Sequence, residues 1–145
     1  MEITFRECLL FNLTKATQKV DGIFRSRYQT HNLTNTQVIV LEVLYEEEGL
    51  SSGEIGKRLC IDSSTLSGVL DRMAEGGWIT KKMTDEDKRL LEIHLTDKAL
   101  QVKGEILKIT EELNRDILNS FKTEEKLLLF RMLQDLRRIL PGEQS

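Results

Sequence analysis

The sequence predicts a mainly α-helical fold with one small β-hairpin. Apolar residues recur at steps of three or four through most of the chain, a single stretch near residues 78–95 switches to alternation, and the 145 residues include only 1 Pro. That length is one domain's worth, and 39% hydrophobic residues suffice to build a core without disulfide or metal staples. With 21 Lys+Arg against 24 Asp+Glu and only 9 Gly, collagen-like, low-complexity and strongly disordered classes are excluded.

The first helix is predicted from Phe5 to about Tyr28, on a stripe of Leu9, Leu13, Ala16, Val20, Ile23 and Phe24. Thr34 followed by Gln37 reads as a capping box, and Val38, Leu41, Val43, Leu44 and Tyr45 form the stripe of a second helix that ends near Gly49. Ser51 or Ser52, with Glu54 behind it, starts a third helix of about two turns carrying Ile55 and Leu59. Asp62-Ser63-Ser64 is a cluster of N-cap formers ahead of a fourth helix. Leu66, Val69, Leu70 and Met73 are its apolar face, Ser64, Ser67, Gly68, Asp71 and Glu75 its small polar face, and Gly76-Gly77 its end.

The alternating stretch, Trp78–Met83 and Leu91–Leu95 around a polar loop Thr84–Arg89, predicts a two-stranded hairpin anchored by Trp78. Thr96-Asp97 caps a helix expected to run unbroken to near Phe121 along Leu100, Ile106/Leu107, Leu113 and Ile117. Thr123-Glu124-Glu125 caps the last, which reaches Leu140 before Pro141-Gly142.

The apolar runs fall far short of the ~20 residues that span a bilayer, so no membrane segment is expected. The first residues lack the pattern of a secretory leader, which makes the cytoplasm the expected compartment. Cys8 and Cys60 lack metal or disulfide spacing, and His31 and His94 read as structural or solvated, so no metal and no cofactor are expected. Without a phosphate loop or a paired nucleophile and base, an enzyme is not expected either.

Two short helices with a tight connection, then a helix fronted by Ser and Thr, then a hairpin with a charged tip: this is the order of a winged helix-turn-helix, here flanked by apolar terminal helices. In such a module the second helix enters the major groove of double-stranded DNA, with Ser63, Ser64, Thr65 and Ser67 at its leading end and backbone amides that attract phosphate. Hydroxyls discriminate bases weakly compared with a bidentate Arg or Asn. Arg89 at the hairpin tip is suited to a narrow minor groove, with Asp85 and Asp87 as its braces. Lys57, Arg58, Arg72, Lys81 and Lys82 read as phosphate contacts that set register. Residues 50–94 carry seven basic and eight acidic groups and the whole chain a net charge of −3, so DNA binding is argued from the motif order, not from charge.

Asp85-Glu86-Asp87-Lys88-Arg89 followed by Leu95-Thr96 resembles the wing signature of the MarR family of bacterial transcriptional regulators. Leu33-Thr34-x-x-Gln37 and Ser63-Ser64-Thr65-Leu66-Ser67 through Val69-Leu70-Asp71-Arg72-Met73 fit it too, so the resemblance covers essentially the whole chain; Ala99 stands where the family often has Gly. The resemblance implies one domain over residues 1–145, with about 33–95 the winged helix-turn-helix and about 5–30 and 96–140 the dimerisation helices. It implies a homodimer, probing a pseudo-palindromic operator with Asp87, Lys88 and Arg89 in each wing, acting as a repressor and released by a small aromatic ligand. Independently, terminal helices this apolar would expose too much hydrophobic area in a monomer. Two alternatives stay open: a thiol-based oxidative-stress sensor using Cys8, and a helical protein-interaction module that does not bind DNA. Cys8 reads more readily as a partly buried interface thiol, and Cys60 as core packing.

Overall fold

Short polar sequences start the helices. Thr34 precedes α2 (Asn35–Glu46); its hydroxyl oxygen accepts the Gln37 N–H at 3.2 Å while its own N–H donates to the Gln37 side chain at 3.0 Å. Ser51 and Glu54 repeat this reciprocal pair at α3 (Ser52–Leu59), at 3.2 and 2.8 Å. Two amides that the helix leaves without carbonyls are satisfied in each case. Helix α4 (Ser63–Glu75) ends on Gly76-Gly77: Gly77 adopts φ +75, and the N–H groups of Gly77 and Trp78 fold back to the carbonyls of Ala74 and Met73 at 3.1 and 2.9 Å. Only a residue without a Cβ takes that left-handed turn at no steric cost.

The computed structural model describes residues 4–84, Glu86 and residues 89–139. The chain divides into two units, Met1–Thr110 and Glu111–Ser145. In the first, α1 (Leu9–Tyr28) precedes α2, and a strand β1 (Leu50–Ser51) leads into α3 and α4. The hairpin β2 (Ile79–Met83) and β3 (Leu91–Leu95) follows, then α5 (Asp97–Gln101) and the start of α6 (Lys103–Ile117). Val38, Leu41 and Leu44 of α2, Ile55 of α3, Leu66, Leu70 and Met73 of α4, and Ile79 and Ile93 of the sheet are all buried and form one core. The faces read from period 3.6 and period 2 therefore meet, which fixes α4 against the hairpin.

The sheet has three strands in the order β1-β3-β2, not the two expected. In the hairpin Ile79 faces Leu95 and Lys81 faces Ile93, while Leu50 of β1 pairs with Ile93 from the other side. A two-residue strand has no alternation to detect; its pairing partner alone makes it one.

Two predicted helices are broken. Phe5–Glu7 is a separate 3-10 turn closed by Thr4 N–H to the Glu7 carboxylate at 3.1 Å, Cys8 is extended, and the Asn12 amide takes the carbonyls of Arg6 and Cys8, so α1 starts afresh at Leu9. The predicted helix from Thr96 breaks at Val102 into α5 and α6. Ala99's carbonyl, which an unbroken helix would use for its own ladder, accepts the Tyr45 hydroxyl at 2.8 Å. Ala99, not Leu100, is the buried residue there; Leu100 is exposed. Trp78 does anchor the hairpin: it is buried, with the Lys98 ammonium 4.1 Å from its ring centroid and bonded to the Gly76 carbonyl at 2.7 Å.

In the second unit, the end of α6 carries buried Leu113, and a turn through Phe121 leads to α7 (Thr123–Ile139). Thr123 is already helical, and the Lys122 N–H is held by the Glu125 carboxylate at 2.7 Å. Leu140, Pro141 and Gly142 lie outside the described residues.

Candidate nucleic-acid interface

Helices α3 and α4 meet through a three-residue turn. Cys60 ends α3 at φ +53 and the Ile61 N–H returns to the Gly56 carbonyl at 3.1 Å. A Cβ on Gly56 would stand 3.1 Å from the Ile61 carbonyl, so the close approach of the turn to α3 favours glycine there. Cys60 is exposed, which corrects the expectation of core packing: the left-handed residue of the turn points outward, and its neighbours Leu59 and Ile61 are the ones packed against the core.

Asp62 is the N-cap of α4 and organises its leading end. Its carboxylate accepts the Thr65 N–H at 2.9 Å, the Thr65 hydroxyl at 2.7 Å and the Ser64 hydroxyl at 2.7 Å. Bonds from the Thr65 side chain first, then its backbone, then Ser64 pull the Asp62 carboxyl down to about 2. Two consequences follow for the expected groove contacts. The Ser64 and Thr65 hydroxyls have committed their protons and present lone pairs, which suits them to accept from base amino groups rather than to donate to phosphate. The Thr65 amide, expected to attract phosphate, already holds a carboxylate. Ser63 and Ser67 are exposed on the same helix. The exposed Arg72 guanidinium lies over Gly68, its Nη1 3.5 Å from where a Cβ would stand.

The basic groups are not equivalent. Lys81 forms an ion pair with Asp71 that ties β2 to α4, and Arg58 pairs with Glu47. Lys82 is exposed and, being the next residue of the strand, lies on the opposite face of the hairpin, with Glu92 as its cross-strand neighbour. The structure thus gathers Ser63, Ser64, Thr65, Ser67 and Arg72 on one helix and attaches Lys81 to it, while Lys82 stands apart. Arg89 is an exposed turn residue where Thr84 N–H meets the Leu90 carbonyl at 3.1 Å and closes the wing loop. Asp87 and Lys88, with Asp85, lie outside the described residues.

Sequence reasoning missed the acidic partners Asp71 and Glu47; contacts between residues ten or eleven apart on different elements leave no local signal. His94, read as structural or solvated, is half-buried, with its Nε2 3.0 Å from Glu92 and its Nδ1 3.7 Å from Glu48. His31 is half-buried 3.6 Å from Glu105. Cys8 is partly exposed, and the tyrosine hydroxyls that could stabilise a thiolate are engaged elsewhere, Tyr28 with Thr110 at 2.6 Å and Tyr45 with Ala99. Among the described residues no cluster of His, Cys, Asp or Glu could hold a metal ion, and no helix is long and apolar enough to cross a membrane.

Replacing Asp62 with Ala is expected to lower the melting temperature by a few degrees at neutral pH, because it removes the cap of α4. The folded carboxyl titrates at about 2, below the 3.8 of an ordinary aspartate, so its contribution is complete above pH 4 and is lost as pH falls through about 2. Melting curves of the two proteins should therefore converge over that interval.

A tight helix pair with a polar leading edge, backed by a three-stranded sheet whose hairpin forms a wing, defines a winged helix-turn-helix protein. A family model described as MarR family matches residues 33–91. The chain is 41% identical over 98 residues to the HTH-type transcriptional regulator TtmR of Methylorubrum extorquens, covering 68% of this chain but only half of that protein's length. It is 30% identical over 102 residues to the regulator MgrA of Staphylococcus aureus, covering 70% of this chain and 69% of MgrA. An organic hydroperoxide resistance transcriptional regulator of Bacillus subtilis is 29% identical over 137 residues, 90% of each chain. Among solved structures, Bordetella bronchiseptica BpsR superposes with a TM-score of 0.87 over 94% of this chain and 98% of that one, at 21% identity. The chain belongs to the MarR family.

Proposed function

We propose that two copies of this chain form a cytoplasmic homodimer that binds a pseudo-palindromic site on double-stranded DNA, represses the adjoining gene, and lets go when a small aromatic molecule binds. The observation that carries the DNA part is the leading edge of α4, whose Ser63, Ser64, Thr65 and Ser67 are exposed ahead of Arg72. Dimerisation is supported on each unit separately. Helix α1 buries only Tyr28 and exposes Leu9, Leu10, Phe11, Leu13 and Val20. Helix α7 has no buried residue among those described, and exposes Leu127, Leu128, Phe130, Met132 and Leu133. Most helical stability in proteins comes from packing an apolar face, so a face left exposed like this one calls for a partner.

The effector class is motivated by BpsR, whose DNA binding is regulated by 6-hydroxynicotinic acid. Release would be a population shift, in which an effector that favours the arrangement unable to grip DNA lowers operator affinity by the same coupling factor. The thiol reading has the likeness to the Bacillus regulator in its favour, and the engagement of both tyrosine hydroxyls away from Cys8 against it.

Selecting bound fragments from a genomic DNA pool, then measuring their affinity by anisotropy at several salt concentrations, tests the reading. Sequence-dependent binding that weakens with salt supports it. Absence of sequence-dependent binding to any fragment rejects it.

A further inference from the structure

One half-buried carboxylate plays no part in the reading above. Glu42, on α2, accepts the Thr110 hydroxyl of α6 at 2.5 Å, and Thr110 is joined in turn to the Tyr28 hydroxyl of α1 at 2.6 Å. A single threonine therefore ties α6 to α1 and α2, through bonds that span 82 and 68 residues of sequence, and both α1 and α6 bear exposed apolar residues, those described for α1 and Leu107 on α6. Thr110 also lies 3.1 Å from the Ile106 carbonyl one turn back, an acceptor to which its hydroxyl can swing.

We propose that Glu42 is a proton-operated switch point in the hydrogen-bond network that joins α2, a helix of the winged module, to α1 and α6. With Glu42 ionised, the hydrogen bonds run from Tyr28 to Thr110 to the carboxylate. When the carboxylate takes a proton from solvent it becomes a donor to the Thr110 oxygen, and the Thr110 hydroxyl turns to the Ile106 carbonyl while Tyr28 goes on donating to Thr110. Every polar group keeps a partner in both arrangements, which makes the network two-state rather than broken in one form.

The groups facing Glu42 favour the protonated form. Burial pushes its carboxyl above the ordinary carboxylate value, the Thr110 hydroxyl pulls it back, and Glu46 on the next turn of α2 adds to the rise. Tyr28 and Tyr45 are themselves raised by burial, with the Glu42 charge contributing to both, so they stay neutral. Lys103 of α6 is over the Tyr45 ring at 5.3 Å and bonded to the Tyr45 carbonyl at 3.3 Å. A carboxyl that holds its proton more tightly folded than unfolded adds most stability at acid pH, and loses that contribution as pH rises through its raised folded value.

The switch does not rest on the regulator reading. In the full-length chain, the carbon-13 shift of the Glu42 side-chain carboxyl followed against pH should give a midpoint above 4.5, and Thr110→Val should move that midpoint further up by removing the donor that holds it down. At fixed chain concentration, the melting temperature of the wild type should gain on that of Glu42→Gln as pH falls from 8 to 5. A midpoint at or below 4.5, a midpoint indifferent to Thr110→Val, or parallel melting curves would overturn the proposal.

Discussion

Leu127→Glu is expected to turn a dimer into a monomer of 16.7 kDa by analytical ultracentrifugation, and to cost operator affinity by orders of magnitude. Leu127 is 67% exposed in the single chain, on a helix with no buried residue among those described, so a partner must supply whatever apolar contact it makes. A carboxylate there would have to be desolvated to keep the apolar contact. Losing the second reading head removes the avidity of two linked half-sites, about 10²–10⁴ in affinity. Leu10→Glu, at a residue 75% exposed on α1 in the other unit, separates interface loss from misfolding of α7. Either variant should keep the α2–α4 amides protected in hydrogen exchange, because the core of the reading head contains neither residue. A dimer that survives both changes would refute the assignment of these faces.

Arg89→Ala is expected to weaken operator binding by roughly 5- to 150-fold, the range that about 1–3 kcal/mol per specific arginine contact implies, and to leave the dimer intact. Arg89 stands where the wing loop closes, outside the apolar core, so its loss removes a long cationic side chain without opening a cavity. Arg89→Lys separates charge from shape. If only a positive charge near phosphate is needed, Lys restores affinity; if the guanidinium fills a narrow minor groove, it restores little. Unchanged DNA affinity in Arg89→Ala together with loss of a protein partner would favour the interaction-module reading.

Much of the reading head was legible because its determinants are local. The Thr34–Gln37 and Ser51–Glu54 boxes are bonds between residues three apart, and the Leu66, Val69, Leu70 and Met73 face is a period that needs no knowledge of the partner. What escaped was decided at a distance. Strand β1 exists because Leu50 meets Ile93, and α5 separates from α6 where the Tyr45 hydroxyl takes the Ala99 carbonyl. The candidate interface divides the same way. The Ser/Thr front of α4 could be read from Asp62-Ser63-Ser64-Thr65, but not that Asp62 would bind the protons of two of those hydroxyls. Nor could it be read that Lys81 and Lys82 would be parted by the pleat, one of them spoken for by Asp71.

The indole wedged beneath Lys98 makes the protein self-reporting. Trp78 is the chain's 1 tryptophan and is 6% exposed, so emission excited at the red edge of indole absorption, where the 2 tyrosines do not absorb, comes from the wing's root. Red-shifted emission signals hydration of that spot, whereas far-ultraviolet dichroism averages over every helix. Comparing the two optical signals during denaturant titration shows whether head and terminal helices melt in one transition or two.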